Sequence, residues 1–360
     1  MHIVNLSNYV QPKLLNTHEQ SCNCSMFQCG SNTYLISRCV TYFLSESYGF
    51  VANNQVHTTN YLYEIDRDFN LQKVKALTNP YVSMTDVKYN GLEDIRTINW
   101  DGTNYFLCTK VLGNSDEATM CYGQISTDTL DLVNITECRT NNSREKNWAP
   151  IETSPFRCMY SHHPLTKINI TTMNTCKLGD GISSIRGSSA IIRYNSNSLI
   201  SLVHTKDISC KYVHRLVMYD NDLHIVAISQ PFTFMGARTE FCSLLKIIPD
   251  GILLLPAIND GISYAFSIPT EIVTKLFQNQ LNNSNVDPKL YNKLVIDALT
   301  NKAYEVAATS ACMATDKHLI AAAIKYNYEC SDMDFTNKCK RQDILMRRYN
   351  NVSHQNYAYG

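Results

Sequence analysis

The sequence carries no net charge: lysine and arginine total 32, and aspartate and glutamate total 32. A chain without a basic excess lacks the field that holds nucleic acid or an anionic membrane surface, so neither is an expected partner. No apolar run reaches the ~20 residues that a membrane-spanning helix needs. The first residues, Met1-His2-Ile3-Val4-Asn5, lack the basic start, apolar core and small-residue cleavage site of a secretion signal. The expected compartment is therefore the cytoplasm, where thiols stay reduced. Zinc-type pairing is missing as well. Cys22, Cys24, Cys29 and Cys39 contain no CxxC step and no histidine at ligand spacing. The 14 cysteines sit mostly among apolar neighbours and read as buried free thiols that pack as small hydrophobes.

What is present is a core and a rhythm. With 360 residues, 44% of them hydrophobic and 18% charged, the chain is built to bury a large interior. From about residue 25 to 270 no long amphipathic helix interrupts a series of short strands, which argues against a parallel α/β fold. The segments Tyr34–Ser37, Tyr61–Ile65, Tyr105–Thr109 and Ala190–Tyr194 are rich in β-branched and aromatic residues. Between them lie turn formers: Asp101-Gly102, Asn195-Ser196-Asn197, Asp220-Asn221-Asp222 and Asp260-Gly261. Asn99–Tyr105 and Arg193–Leu199 repeat the same layout of loop, strand, turn and strand, which suits the blades of a β-propeller. The tail differs. Alanine, leucine and isoleucine fall at helical spacing after Asp287-Pro288, so 285–330 is expected to be a helical appendage that could join two copies in a homo-oligomer. Residues 331–360 are polar and expected to be loosely ordered.

Four segments carry chemistry. Gly91-Leu92-Glu93-Asp94-Ile95-Arg96 sets two adjacent carboxylates beside an arginine. On extended backbone Asp94 and Arg96 project to one face, where the cation holds one carboxylate ionised while the other titrates; the plain alternative is a structural ion pair. In Arg144-Glu145-Lys146-Asn147-Trp148-Ala149-Pro150, Trp148 suits a platform beneath a sugar ring, or else a tryptophan buried between blades. Arg186, His204, Lys206, His214 and Arg215 recur at strand and loop ends, and convergent cations are what a phosphate or nucleotide diphosphate needs. A lone strand histidine is more often a satisfied core residue. Asp260 ends a strand, where its simplest reading is a hairpin turn. The pairs Asp66/Asp68, Asp220/Asp222 and Asp332/Asp334 fit turns better than a metal-dependent transferase site, so no metal is expected.

Taken together, these segments resemble the five-bladed β-propeller enzymes of glycoside hydrolase family 130, the β-mannoside phosphorylases and hydrolases, and related propeller mannosyltransferases. The family's Glu-Asp-Pro-Arg motif is similar to Glu93-Asp94-Ile95-Arg96, with isoleucine in place of proline. Its Lys-Asn-Trp/Pro loop resembles Lys146–Pro150, and its small-residue loop with a histidine-ended strand resembles Arg186–Ser189 and His204. Tyr212–Asp220 and Ala257–Asp260 resemble two later strands, so the likeness spans about residues 85–270. The resemblance implies an all-β, five-bladed propeller over 1–284. It implies Asp94 as general acid, protonating the leaving oxygen through a substrate hydroxyl, with inversion. Glu93, Arg96, Asn147, Trp148 and Asp260 would bind the glycan, and Arg144, Lys146, Arg186, His204 and His214 would bind phosphate. Inorganic phosphate or a sugar nucleotide would be the co-substrate, with no cofactor. Phosphorolysis or glycosyl transfer stands ahead of hydrolysis, which needs a base for which Glu152 and Glu240 are the candidates. The competing expectation is a propeller that binds glycans or proteins without chemistry.

Overall fold

Asp101 and Gly102 both take left-handed backbone, with φ of 48° and 75°. That is the mirror-image turn whose twist matches a right-handed hairpin. It joins Tyr89–Trp100 to Thr103–Gly113, and Ala118–Ile125 and Leu132–Cys138 complete an antiparallel sheet. The computed structural model describes residues 2–7, 19–44, 50–52, 56–66, 69–78, 89–113, 117–182, 185–206 and 211–278, and it repeats this unit five times. The first blade is Gln20–Cys29, Asn32–Val40, Val56–Ile65 and Leu71–Ala76. A short parallel contact, Val56 to Tyr89 and His57 to Asn90, stitches it to the second. The third is Ala149–Ile151, Ser154–His162, Leu165–Asn169 and Thr175–Gly179.

In the fourth blade the inner strand is split, because Arg186–Gly187 and Ile192–Asn195 both pair with Ser198–Lys206. Tyr212–Tyr219 and Ile225–Ile228 follow. The fifth blade takes Glu240–Ile248, Gly251–Ile258 and Ile262–Pro269 from one end of the described chain and His2–Asn5 from the other. His2 pairs with Ser267 and Asn5 with Tyr264, so the first strand closes the ring against the last. The architecture is the expected all-β, five-bladed propeller.

Five apolar layers lie between successive blades. Leu35, Tyr63 and Met26 meet Leu253 and Leu255 between the first and fifth. Ile36 and Leu62 meet Leu92 and Phe106 between the first and second. Leu107 and Met120 meet Trp148 and Ile168 between the second and third. Ile151 and Met159 meet Leu199 and Val217 between the third and fourth. Ile200 and Leu202 meet Leu254 and Phe266 between the fourth and fifth. Because each blade is covered on both faces, middle strands such as Gly251–Ile258 are buried throughout. The outermost strand Leu132–Cys138 instead alternates between buried and exposed positions. Every described cysteine is a free thiol, and all but Cys29 and Cys176 are buried in these layers or beside them.

A helix, Thr270–Gln278, follows the last propeller strand and buries Ile272, Val273 and Leu276 against the layer between the fourth and fifth blades. It begins inside the stretch expected to be wholly propeller. The expected appendage at 285–330 and the polar tail at 331–360 lie outside the described residues. No described helix is long and apolar enough to cross a membrane.

Ring closure by a four-residue strand makes Ile3, 3% exposed, a sensitive position. Ile3→Ala is expected to cost about 2–4 kcal/mol. Urea unfolding followed by far-UV circular dichroism would record it as a lowered midpoint.

Candidate active site

The carboxylates of the second blade are aimed by a break in the ladder. The register of Tyr89–Trp100 against Thr103–Gly113 shifts between Glu93 and Arg96, and Asp94 within that bulge has φ 55°. A bulge re-aims a side chain, so the expected same-face pairing of Asp94 and Arg96 carboxylate and guanidinium does not form. Arg96 turns inward and is 0% exposed. Its Nε donates to the Ser188 carbonyl at 2.5 Å, one Nη donates to the Asp94 backbone carbonyl at 3.2 Å, and the other donates to Asn147 Oδ1 at 3.2 Å. The guanidinium carbon sits 5.5 Å from the centre of the Phe241 ring. Arg96 therefore ties the second blade to the fourth and to the 144–147 loop, and it does not face the cavity expected to receive substrate.

The cation on the carboxylates is Arg38, from the first blade. One Nη lies 2.6 Å from Glu93 Oε1 and the other 3.0 Å from Asp94 Oδ1. Asn23 Nδ2 adds a 2.5 Å bond to the same Asp94 oxygen, and Lys146 Nζ lies 2.9 Å from Glu93 Oε2. Burial pushes the Asp94 carboxyl up, but Arg38, Arg96, Lys146 and Asn23 together hold it below the usual carboxylate range. Burial likewise works against the charge on Arg38, and Glu93 and Asp94 more than compensate.

These groups open into a cavity of about 950 Å³ lined from every blade. Asp260 enters it from the fifth. The hairpin turn expected there is present, with Asn259 and Asp260 at φ 51° and 50°, and the turn delivers the carboxyl to the cavity wall. Tyr42 donates to Asp260 Oδ2 at 3.2 Å, and Gln20 donates to the Asp260 carbonyl at 3.2 Å. Burial pushes the Asp260 carboxyl up and, with the nearby Asp94 and Glu93 charges, outweighs Arg38 and Tyr42. The two aspartates are thus moved in opposite directions within one cavity.

The same cavity is lined by Arg144, Lys146, Arg186 and Lys206, with Lys206 Nζ 4.8 Å from the Tyr212 ring centre. The 144–147 loop is rigidly held. Glu145 Oε1 accepts from Thr140, Asn142 and Tyr160 at 2.6, 3.0 and 3.0 Å, and its Oε2 accepts from Trp148 Nε1 at 3.0 Å. Asn147 takes φ 65°. Acid and cation faces are therefore fixed before any ligand arrives.

Of the residues expected at the site, Glu93, Asp94, Arg144, Lys146, Asn147, Arg186 and Asp260 share the cavity. Four do not line it. Arg96 is the buried tie described above. Trp148 is 1% exposed, lies in the layer between the second and third blades, and packs edge-on against Tyr160, so it offers no platform to a sugar. His204 is buried, with Ser188 Oγ 2.8 Å from its Nδ1 and the Tyr212 ring stacked at 5.1 Å. Burial, reinforced by the neighbouring cations, keeps its pKa well below the ordinary value. His214 is fully buried against Phe232 and Phe234, and burial alone lowers its pKa to about 3. Neither histidine supplies a positive charge at neutral pH.

The base candidates also fall elsewhere. Glu240 is buried and accepts the backbone N–H groups of Phe234, Met235 and Ala237, while Glu152 accepts from the Arg193 N–H. Neither lines the cavity. Sequence reasoning missed Arg38, Asn23 and Tyr42. Arg38 is a lone charge in the otherwise uncharged strand Asn32–Val40, which was the one available signal.

The fold and the cavity define a class: a five-bladed β-propeller with a polar cavity lined by both carboxyls and cations. No family model matches the chain, and no curated protein is similar to it by sequence. Solved structures are similar in fold. A β-1,2-mannobiose phosphorylase from Listeria innocua, in complex with β-1,2-mannobiose, superposes with a TM-score of 0.50 at 10% identity, covering 77% of this chain and 99% of that one. A mannose phosphorylase from Leishmania mexicana, in complex with phosphate, gives 0.47 at 12% identity, covering 71% and 86%. A glycosyl hydrolase from Bacteroides ovatus gives 0.48 at 11% identity, covering 68% and 84%.

The opposed carboxyl environments have opposite consequences for stability. Asp94, with its lowered pKa, contributes stability above the unfolded carboxylate value that is lost as pH falls through its folded value. Asp260, with its raised pKa, favours the fold below the unfolded value and disfavours it as pH rises through its own. At pH 7 Asp94→Asn is expected to lower the urea midpoint and Asp260→Asn to raise it. Both differences should shrink on acidification. Shifts of the same sign at neutral pH would contradict the arrangement.

Proposed function

We propose that the chain is a carbohydrate-active enzyme that processes mannoside-like glycosides with inversion, by phosphorolysis or glycosyl transfer rather than hydrolysis. The observation that carries this reading is the sharing of one cavity by Asp94 with Arg144, Lys146, Arg186 and Lys206. An inverting displacement needs a proton donor on one side of the anomeric carbon and a nucleophile on the other. Asp94 serves as the donor, directly or through a sugar hydroxyl, and the cations hold phosphate or a diphosphate. As the glycosidic C–O bond breaks, its electron pair stays on the leaving oxygen and takes the proton from Asp94. A phosphate oxygen bonds to the anomeric carbon from the opposite face. Glu93, Asn147 and Asp260 bind sugar hydroxyls. The mannoside class is taken from the β-1,2-mannobiose phosphorylase of similar fold. Phosphate or a diphosphate is preferred to water as the partner of the anomeric carbon because four cations line the cavity, while the base candidates Glu152 and Glu240 lie away from it.

One observation favours a second reading. Arg38 and Asn23 both bond the carboxylate of Asp94, and an ionised carboxylate binds hydroxyls but donates no proton. A propeller that binds glycans without turning them over would look like this.

Turnover separates the two. Mannose 1-phosphate, GDP-mannose and mannobiose would be offered as donors, with and without phosphate, and products read by mass spectrometry. The enzyme reading expects a product in at least one arm. It also expects Asp94→Asn to abolish that product while sugar affinity stays within a few-fold. Binding with no product from any donor would favour the second reading, and full activity in Asp94→Asn would remove Asp94 from the chemistry.

A further inference from the structure

Of the cavity cations, Lys146 is joined to Asp94 by an unbroken series of bonded charges. Lys146 Nζ lies 2.9 Å from one Glu93 oxygen, and the other Glu93 oxygen lies 2.6 Å from Arg38. The second Arg38 Nη lies 3.0 Å from Asp94 Oδ1. The two ends differ in access. Both side chains line the cavity, but that of Lys146 is 30% exposed and that of Arg38 only 5%. An incoming anion therefore meets Lys146 more readily than Arg38, which two carboxylates already hold. Within this bonded series two cations serve two carboxylates, so drawing Lys146 away leaves both carboxylates to Arg38.

We propose that Lys146, Glu93, Arg38 and Asp94 form a relay through which an anion entering the cavity loads Asp94 with a proton. The inference rests on the functional reading above and deepens it. An anion that takes over Lys146 strips Glu93 of one partner, and Glu93 then draws more fully on Arg38. The hold of Arg38 on Asp94 weakens, and the anion adds negative charge of its own. Protonating Asp94 restores the balance.

The remaining groups facing Asp94 do not substitute for it. Cys22 from the first blade and Tyr212 from the fourth are pushed up by burial and stay protonated. Arg96, on the same strand, remains charged and is fully bonded. Glu93, within the relay, and Asp260 from the fifth blade are the neighbouring acids that could take the proton instead. In the free cavity Asp94 is ionised, which blocks wasteful protonation chemistry until the nucleophile is present. Over a turnover the proton drawn from solvent passes to the leaving oxygen and Asp94 returns to carboxylate. The hydrogen of the attacking phosphate is released as its oxygen bonds to carbon, so the cycle closes. By linkage, phosphate binds more weakly as pH rises through the titration of the loaded acid.

Calorimetry of inorganic phosphate binding to the full chain tests this, in buffers of different ionisation enthalpy at one mildly acidic pH. Subtracting the proton count of Asp94→Asn removes the phosphate's own ionisation. Wild type is expected to take up on the order of one proton more per phosphate than Asp94→Asn. Glu93→Gln should still bind phosphate but lose most of that excess. Difference infrared spectroscopy of the wild type needs no variant to fold, and should show a protonated-carboxyl band appearing with phosphate. Binding with equal uptake in wild type and Asp94→Asn, or an excess that disappears only in Asp260→Asn, overturns the relay alone. No phosphate binding by wild type overturns the relay and the phosphorolysis reading with it, whereas a product in the donor screen would still uphold the enzyme.

Discussion

The guanidinium of Arg38 is the contact on which the cavity depends. It lies 2.6 Å from Glu93 and 3.0 Å from Asp94, two carboxylates adjacent in sequence and mostly hidden from solvent. Without it, like charges would sit side by side in a medium that screens them poorly, and at least one would have to take a proton to remain. The same side chain crosses from the first blade to the second, so it is also a polar link between them. Such a pair contributes little net stability compared with an apolar replacement, because desolvating three charged groups is costly. Its presence is better explained by what it does to Asp94 than by what it adds to the fold.

The rest of the site is arranged so that this charge pattern keeps its shape. Arg96 is bonded to Ser188, to the Asp94 carbonyl and to Asn147, which fixes the floor beneath the bulge. Glu145 gathers four donors and anchors the loop that carries Arg144 and Lys146. Both are largely buried charges: Arg96 does not line the cavity, and Glu145, at its wall, is already engaged by four donors. Their role is geometric: a dipole or charge held at a set position needs no reorganisation when a ligand's charge arrives. The ring of apolar layers supplies the stiffness that lets five separate blades hold these atoms to within hydrogen-bonding tolerance.

What the sequence disclosed, and what it concealed, follows from the range of each interaction. Turns are local, so Asp101-Gly102 and Asp260-Gly261 were legible, and strand segments between them followed. The Glu93-Asp94 pair was legible because adjacent carboxylates are conspicuous. The bulge was not, since it depends on the register of a partner strand, and it sent Arg96 inward against the expectation for extended backbone. Arg38 was hidden for the same reason: it lies 55 residues from Glu93, and its lone charge in Asn32–Val40 does not say which residues it meets. Trp148, His204 and His214 were misplaced because residue type alone does not separate a cavity wall from an inter-blade layer. For each of them the competing reading, a buried core residue, is the one the structure bears out. The first strand, His2–Asn5, carries no signal of its own and becomes a strand only by pairing with Ile262–Pro269.

The opposed shifts of Asp94 and Asp260 bear on how a single cavity can both bind a sugar and act on it. Two acids at equal strength would either both be ionised, repelling each other and offering no proton, or both be neutral and unable to hold cations in place. Separating them gives each a distinct task at one pH. Asp94 gains its low value from cations that an anionic ligand would also seek, so its state is coupled to occupancy. Asp260 gains its high value mainly from burial and, among the described residues, bonds the Tyr42 side chain, so its state is set chiefly by the scaffold. A group whose charge follows the ligand is suited to the reacting centre. A group whose charge follows the fold is suited to fixed hydrogen bonding of hydroxyls, and this difference in origin is the physical ground on which the proposed function gives proton transfer to Asp94 and sugar binding to Asp260.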